Sequence, residues 1–292
     1  MKSSGQNTAF STNKTLNIRG RLIDLSVPHV MGILNVTPDS FYDGNRYTTE
    51  SSILNQVEKM IAEGATFIDV GGYSSRPDAA DIPEEEELKR VAGAVKIIAK
   101  KFPEAILSID TFRSAVARQA VAEGAAMIND ISAGELDSNM FATMAGLNVP
   151  YAMMHMRGTA QTMKTLTTYD NLLKEVVDFF HQKIAVLEKS GVHDIIIDPG
   201  FGFAKTIEQN FQLLSHLDYF KILGKPIMVG LSRKSMIWKS LQTTPDDALN
   251  GTTALHMAAL LKGCSILRAH DVKEAKEAIR LFTRITFIPL TG

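Results

Sequence analysis

Asp110, Asn129 and Asp198 stand at the ends of short apolar runs, within ILSID, AMIND and IIIDPG. A carboxylate accepts two parallel N–H bonds, and an amide both donates and accepts. Three such groups converging on one mouth suit a flat heterocycle with several in-plane donors. The plainer use of a lone Asp there is a helix cap, and Asp110 before Thr111 fits that use too. Capping accounts less easily for three of them. A second group is cationic: SRKS at 232–235 and RAHD at 268–271 bring Lys234, Arg268 and His270 to two later run ends, where an anion such as phosphate would be held. Lys234 opens a helix, where a cation is unfavourable, and a bound anion would relieve that misfit. Arg268 and His270 are two apart, so on an extended segment they face the same way. Without grouped His or Cys a zinc shell is poorly served, while Mg²⁺ held by an Asn and phosphate oxygens stays open. His155, in the run MMHM, reads as a core histidine with its polar needs met, and Met154 as an apolar floor for a flat ring.

The elements that must carry these residues recur eight times. Apolar runs end near Asn35, Asp69, Asp110, Asn129, His155, Asp198, Ser232 and Arg268, each separated from the next by enough sequence for a helix. Runs of this kind are buried parallel strands, and eight of them in strand–helix alternation predict an α/β fold, a (β/α)8 TIM barrel. Chemistry in that fold gathers at the C-terminal strand ends. Before the first barrel strand, alternation around Arg19-Gly20-Arg21 predicts a β-hairpin that plugs the bottom of the barrel. Helices are expected over 51–63, 114–123, 169–190, 210–217, 247–261 and 271–282, with another starting at the acidic run 84–87 behind Pro83, where acids suit the positive helix end. Residues 1–14 read as a disordered polar lead-in, and 15–292 as one domain. Two connections, VTPDSFYDGNRYT and GGYSSRPDAADIPE, are long enough and rich enough in Gly, Pro, Ser and Asp to be lids over the mouth.

Composition narrows the function. The chain has 292 residues, 45% hydrophobic and 22% charged, with a formal net charge of -1. No basic field for nucleic acid or membrane exists. A lone cysteine, Cys264, precludes an internal disulfide and reads as buried filler. No apolar stretch approaches the ~20 residues of a spanning helix, and a cytoplasmic location is expected.

MGILNVTPDSF, GGYSSRP, SIDT, INDIS, MHM, DPGFGF, SRKS and RAHDV occur in this order from about residue 15 onward, and together they resemble the dihydropteroate synthase family. The first motif and DPGFGF carry most of the resemblance. It implies a Mg²⁺-assisted transferase of folate biosynthesis and the target of sulfonamides. The implied reaction joins 6-hydroxymethyl-7,8-dihydropterin diphosphate to 4-aminobenzoate, giving 7,8-dihydropteroate and pyrophosphate by a largely dissociative substitution. Carried over by motif, Asp110, Asn129, Met154, Asp198 and Lys234 would hold the pterin. Asn35, Arg268 and His270 would hold the diphosphate, with Asn35 at the metal. Phe41, Ser75, Arg76, Pro77, Phe203, Lys234 and Ser235 would hold the aminobenzoate. Asp43, Lys234, Arg268 and His270 would serve the chemistry. A homodimer through late barrel helices is implied as well. Departures are Tyr73 for an acid, Ser75 for Thr, Asp78 for Gly, FYDGN for FSDGG, and Ala204 for Gly; the last looks harmless. Two alternatives stand beside the synthase. A pterin-dependent methyltransferase barrel would not need the SFYDG and SSRP lids, and a non-catalytic pterin-binding paralogue should have lost Asp43, Arg76 or a diphosphate ligand.

Overall fold

The computed structural model describes residues 14–36, 46–73 and 81–286. Two antiparallel strands, β1 (Thr15–Ile18) and β2 (Arg21–Asp24), open it. Their two-residue turn has positive φ at both Arg19 (53°) and Gly20 (84°), the twist that a tight hairpin requires. Eight parallel strands follow: β3 (His29–Asn35), β4 (Phe67–Gly71), β5 (Ile106–Asp110), β6 (Met127–Asp130), β7 (Tyr151–Met154), β8 (Ile195–Asp198), β9 (Met228–Val229) and β10 (Ile266–Ala269). Their order is β8-β7-β6-β5-β4-β3-β10-β9, and a single bridge between Ile197 and Ile227 joins the two ends of that sheet. The result is the expected (β/α)8 barrel with its N-terminal hairpin.

The helices around it are α1 (Arg46–Glu63), α2 (Glu84–Lys101), α3 (Ser114–Glu123), α4 (Met140–Leu147), α5 (Leu172–Lys189), α6 (Ile207–Ser215), α7 (Ser235–Ser240), α8 (Leu249–Leu261) and α9 (Val272–Thr286). Both α1 and α9 run longer than the apolar periodicity predicts, and α7 is the short helix that starts directly after Lys234. Beneath the barrel, Leu16, Ile18, Ile23 and Leu25 of the hairpin pack on Met31, Phe67, Met127, Ala152, Ile196, Met228 and Ile266. The hairpin is the plug predicted for it.

Register positions the mouth. Asn35, Gly71, Asp110 and Asn129 are successive partners across β3, β4, β5 and β6. Two residues below Gly71, the last of β4, Asp69 is level with Ile33 and Ser108. Gly72 lets α2 come close to this wall: a Cβ there would lie 2.7 Å from Val91 Cγ2. The acidic run does start α2 as expected, yet Glu87 is fully buried rather than solvated. It accepts from Thr111 Oγ1 at 2.6 Å and from Arg113 Nη1 at 2.7 Å, and so fixes the turn after β5.

Candidate active site

At the top of the barrel a knot of charges joins β4, β5, β6 and β10. Arg268 donates from Nε to Asp69 Oδ2 at 2.7 Å and from Nη2 to Asp110 Oδ2 at 2.6 Å. Asn129 Nδ2 donates to the same Asp69 oxygen at 2.9 Å, which turns the amide oxygen away from Asp69. Burial raises the Asp110 pKa to about 7, against the pull of Arg268 and with a push from Asp69. Burial would lower Arg268, but the two carboxylates hold it above its ordinary value. Asp110 is no helix cap: Ser114 N, at the start of α3, donates to Asp137 Oδ2 instead. Asp69 is the functional residue that sequence reasoning passed over. Its signal was visible, a carboxylate inside the apolar run TFIDVGG, but no ligand role was drawn from it.

Opposite this knot, Asp198 ends β8. Its Oδ1 accepts from Gly200 N at 2.8 Å, and burial raises its pKa. Lys234 Nζ donates to the carbonyl of Phe201 and lies 4.7 Å from the centroid of the Phe203 ring. Burial lowers the Lys234 pKa to about 8, with Asp198 opposing the shift. A Cβ on Gly230 would be 3.9 Å from both Asp198 Oδ2 and Lys234 Nζ, so ammonium and carboxylate face one gap. Met154 packs with Ile131, Met156, Met163 and Ala204, beside Phe112, Leu136 and Phe203, as an apolar wall.

His155 is the predicted core histidine, 2% exposed. Its Nδ1 lies 2.9 Å from Lys205 Nζ, which also donates to the carbonyls of Phe203 at 3.0 Å and Gly200 at 3.1 Å. The His155 carbonyl, at 3.5 Å, completes a ring of four partners around this amine. Burial drives the pKa of both Lys205 and His155 well down. Lys205 rivets the loop after β8 to the end of β7, and a Cβ on Gly200 would fall 2.0 Å from the His155 carbonyl oxygen. Nothing in the sequence marked Lys205 except its place after the DPGFGF motif.

The register row brings Asn35 to the level of Asp110. A Cβ on the intervening Gly71 would lie 3.7 Å from both Asn35 Oδ1 and Asp110 Oδ2. Strand β10 ends at Ala269, so the period-two argument reaches Arg268 but stops short of His270. His270 follows the strand and its backbone N donates to Ser232 Oγ at 3.2 Å. Ser235 begins α7, directly after Lys234. Phe41, Asp43, Ser75, Arg76, Pro77 and Asp78, with residues 1–13 of the lead-in, lie outside the described residues. Tyr73, at the foot of the second long connection, stacks edge-on against Phe112 at 5.2 Å, with the Arg113 guanidinium 5.5 Å from its ring centroid.

The mouth is lined with acids, two amides, two cations and an apolar wall, and the chain that builds it matches a family model described as pterin binding enzyme over residues 31–270. The chain belongs to the dihydropteroate synthase family of pterin-binding enzymes. Dihydropteroate synthase of Escherichia coli (strain K12) is 44% identical over 266 residues, covering 90% of this chain and 93% of that one. The solved Xanthomonas albilineans dihydropteroate synthase with 4-aminobenzoic acid is 38% identical with a TM-score of 0.88, covering 95% and 100% of the two chains. That of Yersinia pestis with a sulfonamide drug is 38% identical with a TM-score of 0.86, covering 93% and 98%. Membership makes this chain an enzyme and a transferase.

Proposed function

We propose that the mouth condenses 6-hydroxymethyl-7,8-dihydropterin diphosphate with 4-aminobenzoate, and that its residues divide the task in three. Asp110, Asn129 and Asp198 read the polar edge of the pterin over Met154, and Lys234 bonds the ring. Asn35, Arg268 and His270 take the diphosphate. Phe203, Lys234 and Ser235, with Phe41, Ser75, Arg76 and Pro77 of the two lids, take the aminobenzoate. The observation that carries this reading is the Arg268 knot, because one guanidinium touches the Asp110 assigned to the pterin while serving the anion. The relatives support the synthase over a methyltransferase or a non-catalytic paralogue.

The arylamine nitrogen forms a bond to the exocyclic methylene as the carbon–oxygen bond to diphosphate breaks, and the amine proton passes to solvent. A ring that delocalises a cation at that methylene makes a dissociative path suitable, so the protein's task is position and charge rather than proton transfer. Asp43 stabilises the cationic carbon while the lids keep water away. The uncharged arylamine needs no strong base, in keeping with the lack of an acid–base dyad in this assignment.

Mg²⁺ suits this donor set. Asn35 Oδ1 is a hard oxygen at the gap above Gly71, across from the Asp110 carboxylate that Arg268 holds, and Mg²⁺ is commonly held by one or two protein oxygens plus substrate phosphates. Asn35 would hold it, and when bound it would offset charge on the leaving pyrophosphate. Residues 15–292 form one functional unit, and a homodimer is supported by α8, whose sequence LNGTTALHMAALL is apolar on nearly every side and leaves Leu261 exposed. A cytoplasmic setting is supported by the lone Cys264, buried and with its thiol pKa pushed up by burial. The sulfonamide seat would be the aminobenzoate pocket. Incubation with the pterin diphosphate, 4-aminobenzoate and Mg²⁺ should yield dihydropteroate and pyrophosphate in equal amounts; no product would overturn the reading.

A further inference from the structure

The sheet stops short of the site where it matters most. Strand β9 has two residues, and its ladder with β10 ends at Leu267↔Val229. Lys234 lies five residues beyond that rung and His270 three beyond it. Sheet register therefore does not fix the distance between the arm carrying Lys234 and Ser235 and the arm carrying Arg268 and His270.

A different device spans the gap. Arg233 donates to Asp271 with two parallel bonds, Nε to Oδ2 and Nη2 to Oδ1, each 2.9 Å. Its Nη1 donates to the carbonyls of Pro245 at 3.0 Å and Asp246 at 2.8 Å, and its backbone N donates to Thr252 Oγ1 at 3.1 Å. The residue has φ 54°, a left-handed conformation that is strained for a non-glycine residue. Such a conformation persists where the surroundings over-determine it, as these bonds do. Each partner adjoins a site residue: Arg233 sits between Ser232 and Lys234, and Asp271 follows His270. The bond from His270 N to Ser232 Oγ runs beside the ion pair.

We infer that Arg233 and Asp271 are a positioning pair that sets the separation of the aminobenzoate arm from the diphosphate arm. The inference rests on the roles proposed above for Lys234 and His270. Nucleophile and leaving group are held by opposite sides of this strut, so loosening it misaligns them while leaving each arm's own contacts in place. The loss then falls on kcat rather than on binding. An Arg is needed because a Lys cannot supply the two parallel bonds.

The test uses the full chain with Arg233→Lys, Asp271→Asn and the double variant. We measure kcat and KM for both substrates, calorimetric affinity for a phosphate-free pterin and for pyrophosphate with Mg²⁺, and the melting temperature. The expected result is kcat lower by about 10–100-fold, both affinities within about threefold of wild type, little change in melting temperature, and a double variant no worse than the poorer single one. Full kcat in Arg233→Lys would overturn the inference, as would a parallel fall in kcat, both affinities and melting temperature. Lys234→Ala should weaken the pterin and His270→Ala the pyrophosphate. If neither does, the site reading fails and takes the inference with it; if both do while Arg233→Lys keeps full kcat, the inference alone fails.

Discussion

The two ends of the barrel are built from the same strands and obey opposite rules. At the bottom, hairpin residues Leu16, Ile18, Ile23 and Leu25 meet Met31, Phe67, Met127 and Ile266 in a wholly apolar layer. A few residues up the same strands, Asp69, Asp110, Asn129, Asp198 and Arg268 gather in a space almost as closed to water. Burying charge is costly unless each group is paired and hydrogen-bonded. The top therefore holds carboxylates raised by burial and an ammonium lowered by it, each partly compensated by a neighbour. One end is chosen for stability and the other carries tension that a polar ligand would relieve.

The largest effect expected is at the top. Asp198→Asn should weaken a pterin ligand by roughly 2–4 kcal/mol, because an amide replaces one acceptor by a clashing donor in a buried charged contact. The fold should survive, since the change removes a buried charge. Calorimetry and thermal unfolding on the same sample separate the two; unchanged affinity would remove Asp198 from the pterin site. Next comes Arg268→Ala, which strands Asp69 and Asp110 without their cation. Breaking such a pair costs about 3–5 kcal/mol when fully buried, and less is expected here because Arg268 keeps 20% side-chain exposure. The diphosphate substrate should suffer more than a pterin lacking phosphates, and equal losses would argue that Arg268 only supports the fold.

At the bottom the pattern should invert. Leu16→Ala opens a cavity under the barrel and should lower stability by about 2–4 kcal/mol, with kcat and KM for the folded protein unchanged. A matching loss of activity would mean that the plug communicates with the mouth.

Why the top was more readable in sequence than its wiring follows from the same physics. Asp110, Asn129 and Asp198 advertise themselves because a polar residue ending an apolar run needs a reason. The strand pattern needed for the barrel is set by burial on both faces, so all eight barrel strands, β3 to β10, can be found from their apolar runs. Asp69 hides because the local pattern shows a buried carboxylate but not Arg268, 199 residues away, which compensates it. Lys205 and Glu87 hide for a similar reason: a Lys after a loop and a Glu in an acidic helix start look solvated until a distant partner is known. Strand β9 is marked by its apolar run as clearly as the others, but the run does not show that only two of its residues form strand.

The pH response sharpens the contrast further. Asp110 titrates near 7 in the folded chain against an ordinary value of 3.8, so the folded state binds the proton more tightly than the unfolded one. Its contribution to stability should decline as pH rises from about 4 to about 7 and then level off. Pterin binding should change the other way, strengthening as Asp110 ionises. Lys234, lowered to about 8, sets the alkaline limb. The profile of kcat/KM should be a bell between these limbs, and Asp110→Asn should flatten the acid side. An acid limb that survives this change would assign it elsewhere.

The smallest effect tests Ala204, a departure from the family motif that looks harmless by size. Ala204 stands where glycine is common in the family motif, and its φ is 50°, in the left-handed region. The substitution looks harmless by size, since Ala204 is buried and packs into the Met154 wall. By backbone conformation it is not, because an alanine Cβ crowds the following carbonyl there. Lys205 next door and the Tyr169 hydroxyl, which donates to the Ala204 carbonyl at 2.9 Å, hold the turn in place against that strain. Ala204→Gly removes the strain, loses a little packing and adds unfolded-state entropy, so a net gain of about 0.5–1 kcal/mol is expected. Denaturant unfolding should show a higher midpoint at unchanged slope, with pterin affinity preserved. A lower midpoint would mean that the methyl group's packing in the wall outweighs the backbone strain.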